Sequence, residues 1–218
     1  MKKTIFLIGA IFGVSFFAKA QDGYEQVMHA IVARLDKAVT VGDYQALAAD
    51  FKTIADREKM QWLPYYYAGF CNAKTAWLYE DDGEKIEPYA NLAEEEIKKA
   101  RALLDTATQK KELSEVYCVF SMTNRAMVFI NPQTYGRQYG PAASRYIQMA
   151  EQANPDNPRA IWLQGWEKFK TPKLWGGDKN KAKELLEDAN QKLTNAPAAG
   201  VNPHWGKKEV DELLKQIK

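Results

Sequence analysis

The stretch "PAASRYIQMAEQANPDNPRAIWLQGW" (141–166), followed by "KAKELLEDA" (181–189), decides the fold. Ala143, Ile147 and Ala150 are spaced by four and three residues, and Pro155 stands twelve beyond Ala143. Residues three or four apart share one face of a helix, so this spacing predicts a helix with a narrow apolar stripe over 141–153. "NPDNP" stops it, and a second helix is expected over 158–169, with Gly165 facing its neighbour. Ala182, Leu186 and Ala189 repeat the same offsets in a helix over 179–193. Alanine at the crossing point and a larger residue beside it is what two helices need in order to pack closely.

The pattern extends towards the N-terminus. Ala93, Ile97 and Ala100 repeat the offsets, preceded by Gly69 in the helix before. Helices are expected over 24–38, 44–58 (with Asp43 as N-cap), 62–79, 85–107 and 111–130, and a last one over 206–217. Period-2 alternation is nearly absent, so the expected class is all-α, built from about four antiparallel helix pairs and a C-terminal capping helix.

The first twenty residues, "MKKTIFLIGAIFGVSFFAKA", carry a charged start, an apolar run too short to span a bilayer and an A-x-A end. This is the grammar of a cleaved secretory signal, with cutting expected after Ala20 and one domain expected over 21–218. The expected location is the periplasm or the exterior. Loss of Lys2, Lys3 and Lys19 takes the formal charge from +2 to −1. A near-neutral chain has no long-range attraction for nucleic acid. No later stretch is apolar enough to be read as a membrane span.

Catalytic signatures are missing. There is no H-E-x-x-H, C-x-x-C or G-x-S-x-G, and His29 and His204 stand far apart in sequence. "YEDDGEK" (79–85) lacks the spacing of a calcium loop and reads as a solvated turn ending at Gly83. "LWGGDKNKAKELLEDA" (174–189) raises the question of a phosphate cradle, but it follows a helix, lacks the Lys-Ser/Thr pair and puts Asp178 where phosphate would sit. It reads as an expanded turn: Gly176 and Gly177 supply backbone freedom and Asp178 caps the next helix. The extra residues around Leu174 and Trp175 either fold over the array or form a lip beside a cleft. No enzyme activity, cofactor or metal is expected.

Taken together, the alanine, glycine and proline positions of 141–189 resemble the tetratricopeptide repeat (TPR) family. Residues 62–104 and 111–153 follow less closely, with Tyr117 in place of a small residue, and Lys52 departs from the pattern in 44–58. The segment 154–189 with its expanded turn also resembles periplasmic TPR proteins that accompany solute transport, such as the T component of TRAP transporters. In TPR arrays the first helix of each pair lines a concave surface. The resemblance therefore implies a groove holding Tyr66, Phe70, Lys74, Met122, Arg125, Arg159, Trp162, Trp166 and Lys170. Tyr66/Phe70 and Trp162/Trp166 each share a helix face, and these rings are either an open aromatic shelf or core. So many aromatics speak against a clamp for an acidic peptide tail.

The expected function is an exported, non-catalytic scaffold that binds a protein or peptide partner. The alternative is a binder of a small apolar, anionic molecule linked to solute uptake. Cys71 and Cys118 fall at near-equivalent places in neighbouring repeats, where they either pair or pack as free thiols.

Overall fold

A computed structural model describes residues 23–196 and 200–217, so the export signal expected over 1–20 lies outside the described residues. The described residues hold nine α-helices and no strand. They are α1 (23–35), α2 (Val41–Arg57), α3 (Trp62–Leu78), α4 (Gly83–Ala102), α5 (Lys110–Ile130), α6 (Gly136–Ala153), α7 (Pro158–Lys170), α8 (Lys179–Thr194) and α9 (Lys207–Gln216).

Boundary shifts have local causes. The helix expected over 85–107 ends at Ala102, because the Asp105 carboxylate accepts from the backbone N–H groups of Ala107 and Thr108 and holds a turn there. The N-cap of α2 is Thr40, not Asp43. Asp43 is the third helical residue, and it accepts from the Thr40 N–H while its own N–H donates to the Thr40 hydroxyl. That reciprocal pair is a capping box, which Thr-x-x-Asp satisfies as Glu would. Helix α6 begins at Gly136, five residues ahead of the start expected at Pro141. Gly83 opens α4 rather than closing the acidic turn.

From α2 onward each helix packs on the next in sequence. Helix α3 also touches α5, and α5 touches α7, while the second helices of the pairs make no comparable approach to one another. The array therefore curves, with the first helices inside. The small-residue positions lie at the crossings. A Cβ on Gly69 would stand 3.2 Å from the Ala93 carbonyl oxygen, and one on Gly165 would stand 3.0 Å from the Leu186 side chain. Ala93, Ile97, Ala100, Ala182, Leu186 and Ala189 are all fully buried. One large apolar core runs from α1 to α9, and a smaller one, around Ile86, Ala90 and Met127, joins the far ends of α3 to α6.

The inner face does not stay open along its length. The segment from Gly200 to Gly206, followed by α9, lies back across it. The Tyr67 hydroxyl donates to the Val201 carbonyl at 2.8 Å, and Lys74 pairs with Glu209 at 2.8 Å. Val210 and Leu213 bury the apolar side of α9. Cys71 and Cys118 are free, buried thiols, and burial pushes both up from their ordinary range.

Candidate functional site

Of the nine residues expected to line a groove, eight fall into two sets and Lys74 stands apart. Tyr66, Phe70, Met122, Arg159 and Trp162 are buried. They do not line an open groove, because the C-terminal segment covers them. Trp205 stacks on Phe70 and meets the Trp162 ring edge-on at 5.8 Å. Its Nε1 donates to the Tyr66 hydroxyl at 2.8 Å.

Beneath Trp205 lies a buried ion pair. Arg159 donates from Nε and Nη2 to the two Glu115 carboxylate oxygens, each at 2.6 Å, and from Nη1 to the Trp205 carbonyl. Such a two-pronged pair satisfies both charges in a dry site. Burial works against the Arg159 charge, but the Glu115 carboxylate outweighs it and raises its pKa. Burial and the same carboxylate hold the Tyr66 phenol neutral, well above its ordinary range. Arg159 is therefore a structural tie between α5, α7 and the returning segment. Lys74 is likewise committed, to Glu209.

Trp166, Arg125 and Lys170 form the second set, at the C-terminal ends of the first helices. Trp77, missed in the sequence, is the centre of this region. Its ring lies 5.0 Å from Trp166, 5.5 Å from Phe129 and 5.9 Å from Trp162, and its Nε1 donates to the Met122 carbonyl at 2.8 Å. The Arg125 guanidinium stands 5.5 Å over the Trp166 ring and is fixed by Glu167 at 2.5 Å; Glu167 also accepts from the Ser144 hydroxyl. Trp77, Phe129 and Trp166 remain half-buried, with Phe169 half-buried and Lys170 exposed beyond them. The result is a partly open aromatic floor with a held cation above it. Behind it, the Trp162 Nε1–H is buried with no acceptor among the described residues.

A hollow of about 640 Å³ lies elsewhere, between α1, α8 and the returning segment. It is lined by His29, Val32, Arg159, Lys192, Leu193 and His204, among others. The two histidines that sequence separation set apart therefore share one hollow. His204 is tied there, with Nδ1 2.8 Å from the Asn202 carbonyl and Nε2 2.8 Å from the Asp36 carboxylate. No signal in the sequence pairs them, because α1 and the returning segment meet only through the fold.

The expanded turn is a lip. Gly176 has φ +91°, and a Cβ on Gly177 would lie 1.7 Å from the Thr171 carbonyl oxygen. The Asp178 carboxylate caps α8 by accepting from the Asn180 and Lys181 N–H groups at 3.0 Å. The turn reading of "LWGGDK" holds, and Leu174 and Trp175 project outward instead of folding over the array.

No family model matches the chain, and no curated protein matches it. Among solved structures, the chain is similar to the HusA haemophore from Porphyromonas gingivalis, with 34% identity, a TM-score of 0.78, and coverage of 89% of this chain and 92% of that one. Identity of that order across nearly the whole length of both chains, on the same all-helical architecture, places this chain in the HusA family.

Proposed function

We propose that this chain is an exported binding protein that carries a porphyrin-type ligand, haem foremost, on the aromatic floor around Trp77. The observation that carries the reading is the relationship to a haemophore, whose name denotes a carrier of haem and not a catalyst. The geometry supports it. A porphyrin is a flat apolar ring with anionic arms, and Trp77, Phe129 and Trp166 offer apolar rings beside the cation Arg125, with Lys170 one helical turn beyond Trp166 on α7. The same comparison favours the small-molecule alternative over a peptide-binding scaffold, and the filled stretch of the inner face leaves an extended peptide less room there. The curved pairing of helices and the crossings at Gly69 and Gly165 support reading the array as TPR-like. Export with cleavage after Ala20 fits a carrier of this kind; N-terminal sequencing of the protein from the host should begin at Gln21, and retention of residues 1–20 would exclude it.

A second site deserves a direct comparison, because histidine is an axial ligand of haem iron and both histidines line the hollow at α1. Titration of the 21–218 chain with hemin and, in parallel, with iron-free protoporphyrin, followed by tryptophan quenching and the porphyrin absorption band, separates the two. The aromatic floor predicts that both ligands bind, and that Trp166→Ala and Arg125→Gln each weaken both by about tenfold or more while the helical signal is kept. Binding that needs iron and vanishes in His29→Ala or His204→Ala would move the site to the hollow. Failure of both ligands to bind would overturn the reading.

A further inference from the structure

The lip between α7 and α8 is unlike the rest of the surface. Leu174 and Trp175 are 88% and 75% exposed; of the other large apolar side chains described, only Met60, at 82%, is comparably exposed. They sit side by side on a single 3-10 turn, Lys173–Trp175. Around them the charge is one-sided: residues 168–183 contain six lysines and one acid, Asp178, in a chain whose net charge is near zero. Asp178 is spent on the α8 cap. Lys181 and Lys183 face Glu184 and Glu187, but Lys170, Lys173 and Lys179 have no ion-pair partner among the described residues. Those three lysines line one open hollow of about 620 Å³ at the base of the turn, together with Phe169, Thr171 and Asn180.

The turn is held in shape before anything binds. The Lys168 ammonium donates to the Gly176 carbonyl at 3.0 Å, the Gly177 N–H to the Pro172 carbonyl at 3.1 Å, and the Asp178 N–H to the Lys168 carbonyl at 3.0 Å. Gly177 lies so close to Thr171 that no side chain fits there. Two large apolar side chains are thus kept in water by a fixed backbone.

We infer that this lip docks the protein on an anionic lipid bilayer, with Leu174 and Trp175 dipping into the interface and Lys170, Lys173 and Lys179 meeting the headgroups. Shape and charge select this partner. A small ligand needs a site that covers most of its surface, whereas Leu174 and Trp175 stand outside the hollow that the lysines line and are exposed to water. Tryptophan is favoured at the membrane–water boundary, and each lysine near an anionic surface adds attraction that falls away within a Debye length. No helix of the described residues is long and apolar enough to cross a membrane, so the contact is peripheral. Docking would bring the Trp166 end of α7 close to the bilayer, since the lip follows α7 directly. The inference stands on the lip alone and does not need the ligand proposed above.

The test is co-sedimentation of the 21–218 chain with large vesicles of phosphatidylcholine, with and without about one-third phosphatidylglycerol. Sedimentation is expected only with the anionic vesicles, and should weaken as salt rises. The double variant Leu174→Ser/Trp175→Ser and the double variant Lys173→Glu/Lys179→Glu should each reduce partitioning by about tenfold or more. Both pairs are exposed, so the melting temperature should stay put and report intact folding. Brominated lipid chains should quench wild-type fluorescence more than that of Trp175→Phe. Absence of sedimentation with anionic vesicles overturns the inference, as does binding that survives Leu174→Ser/Trp175→Ser. A dimer that hides Trp175, seen by analytical ultracentrifugation and lost in that variant, also overturns it.

Discussion

Trp205 lies over Phe70 with ring centroids 4.6 Å apart and 25° between the ring planes. This stack closes the inner face of the array with the chain's own C-terminal segment. Phe70 comes from the third helix and Trp205 from the turn before the last, so the contact fastens the end of the chain to its first half. Trp205→Ala should cost about 3 kcal/mol through lost burial and the loss of the Nε1–H that donates to the Tyr66 hydroxyl. For a chain of this size that is a fall in melting temperature of about 6–12 °C. A loss under about 1 kcal/mol in thermal or urea unfolding would mean that the segment rests on the array without holding it.

Below that stack, Glu115 and Arg159 form a buried pair, and neither has a second ion-pair partner among the described residues. Glu115→Ala leaves a guanidinium buried and unpaired, and should destabilise by about 3–5 kcal/mol. Replacing both partners at once, as Glu115→Leu with Arg159→Met, should cost much less than the sum of the single changes, because no charge is then stranded. Urea unfolding of the two single variants and the double variant checks this. Additive losses would show that the two side chains do not act as a pair.

Acid should loosen the last helix. Burial pushes the Glu209 carboxyl up, but the charge of Lys74 and the hydrogen bond that Lys74 donates outweigh it, so the folded pKa lies below the ordinary glutamate value. A carboxyl depressed in the folded state stabilises the fold above the unfolded pKa, near 4.3, and that contribution fades as pH falls through the lower folded value. Wild type should therefore exceed Glu209→Gln in stability at neutral pH, and the gap should narrow below about pH 4. Paired urea titrations across that range measure it. A gap that does not change with pH would place the effect in packing and not in charge.

The lip depends on Gly177. Its amide donates to Pro172 and its α-carbon faces Thr171, so Gly177→Ala would drive a methyl into a carbonyl oxygen. The turn must then open, and the loss should reach about 2 kcal/mol or more, confined to the α7–α8 connection. Faster amide exchange at Gly177 and Asp178, with α3 to α5 unchanged, is the expected signature in hydrogen-exchange measurements.

The helical class, the order of the helices and the crossings at Gly69, Ala93, Gly165 and Leu186 were legible in the sequence. Their cause is local: side chains three and four residues apart share a face, so the pattern of apolar and small residues announces a helix and the side it buries. The "LWGGDK" turn was legible for the same reason, since glycine conformation and an aspartate cap act within a few residues. Helical spacing likewise puts Tyr66 and Phe70 on one face of α3, and Trp162 and Trp166 on one face of α7. What no local pattern carries is which part of that face is covered. Trp205 meets Tyr66 across 139 residues of chain, and Lys74 meets Glu209 across 135. The choice of Trp77 as the centre of the aromatic floor, and the meeting of His29 with His204 at one hollow, likewise arise only when separate helices pack. Helical period says where a side chain points. Tertiary packing decides what, if anything, lies there to meet it.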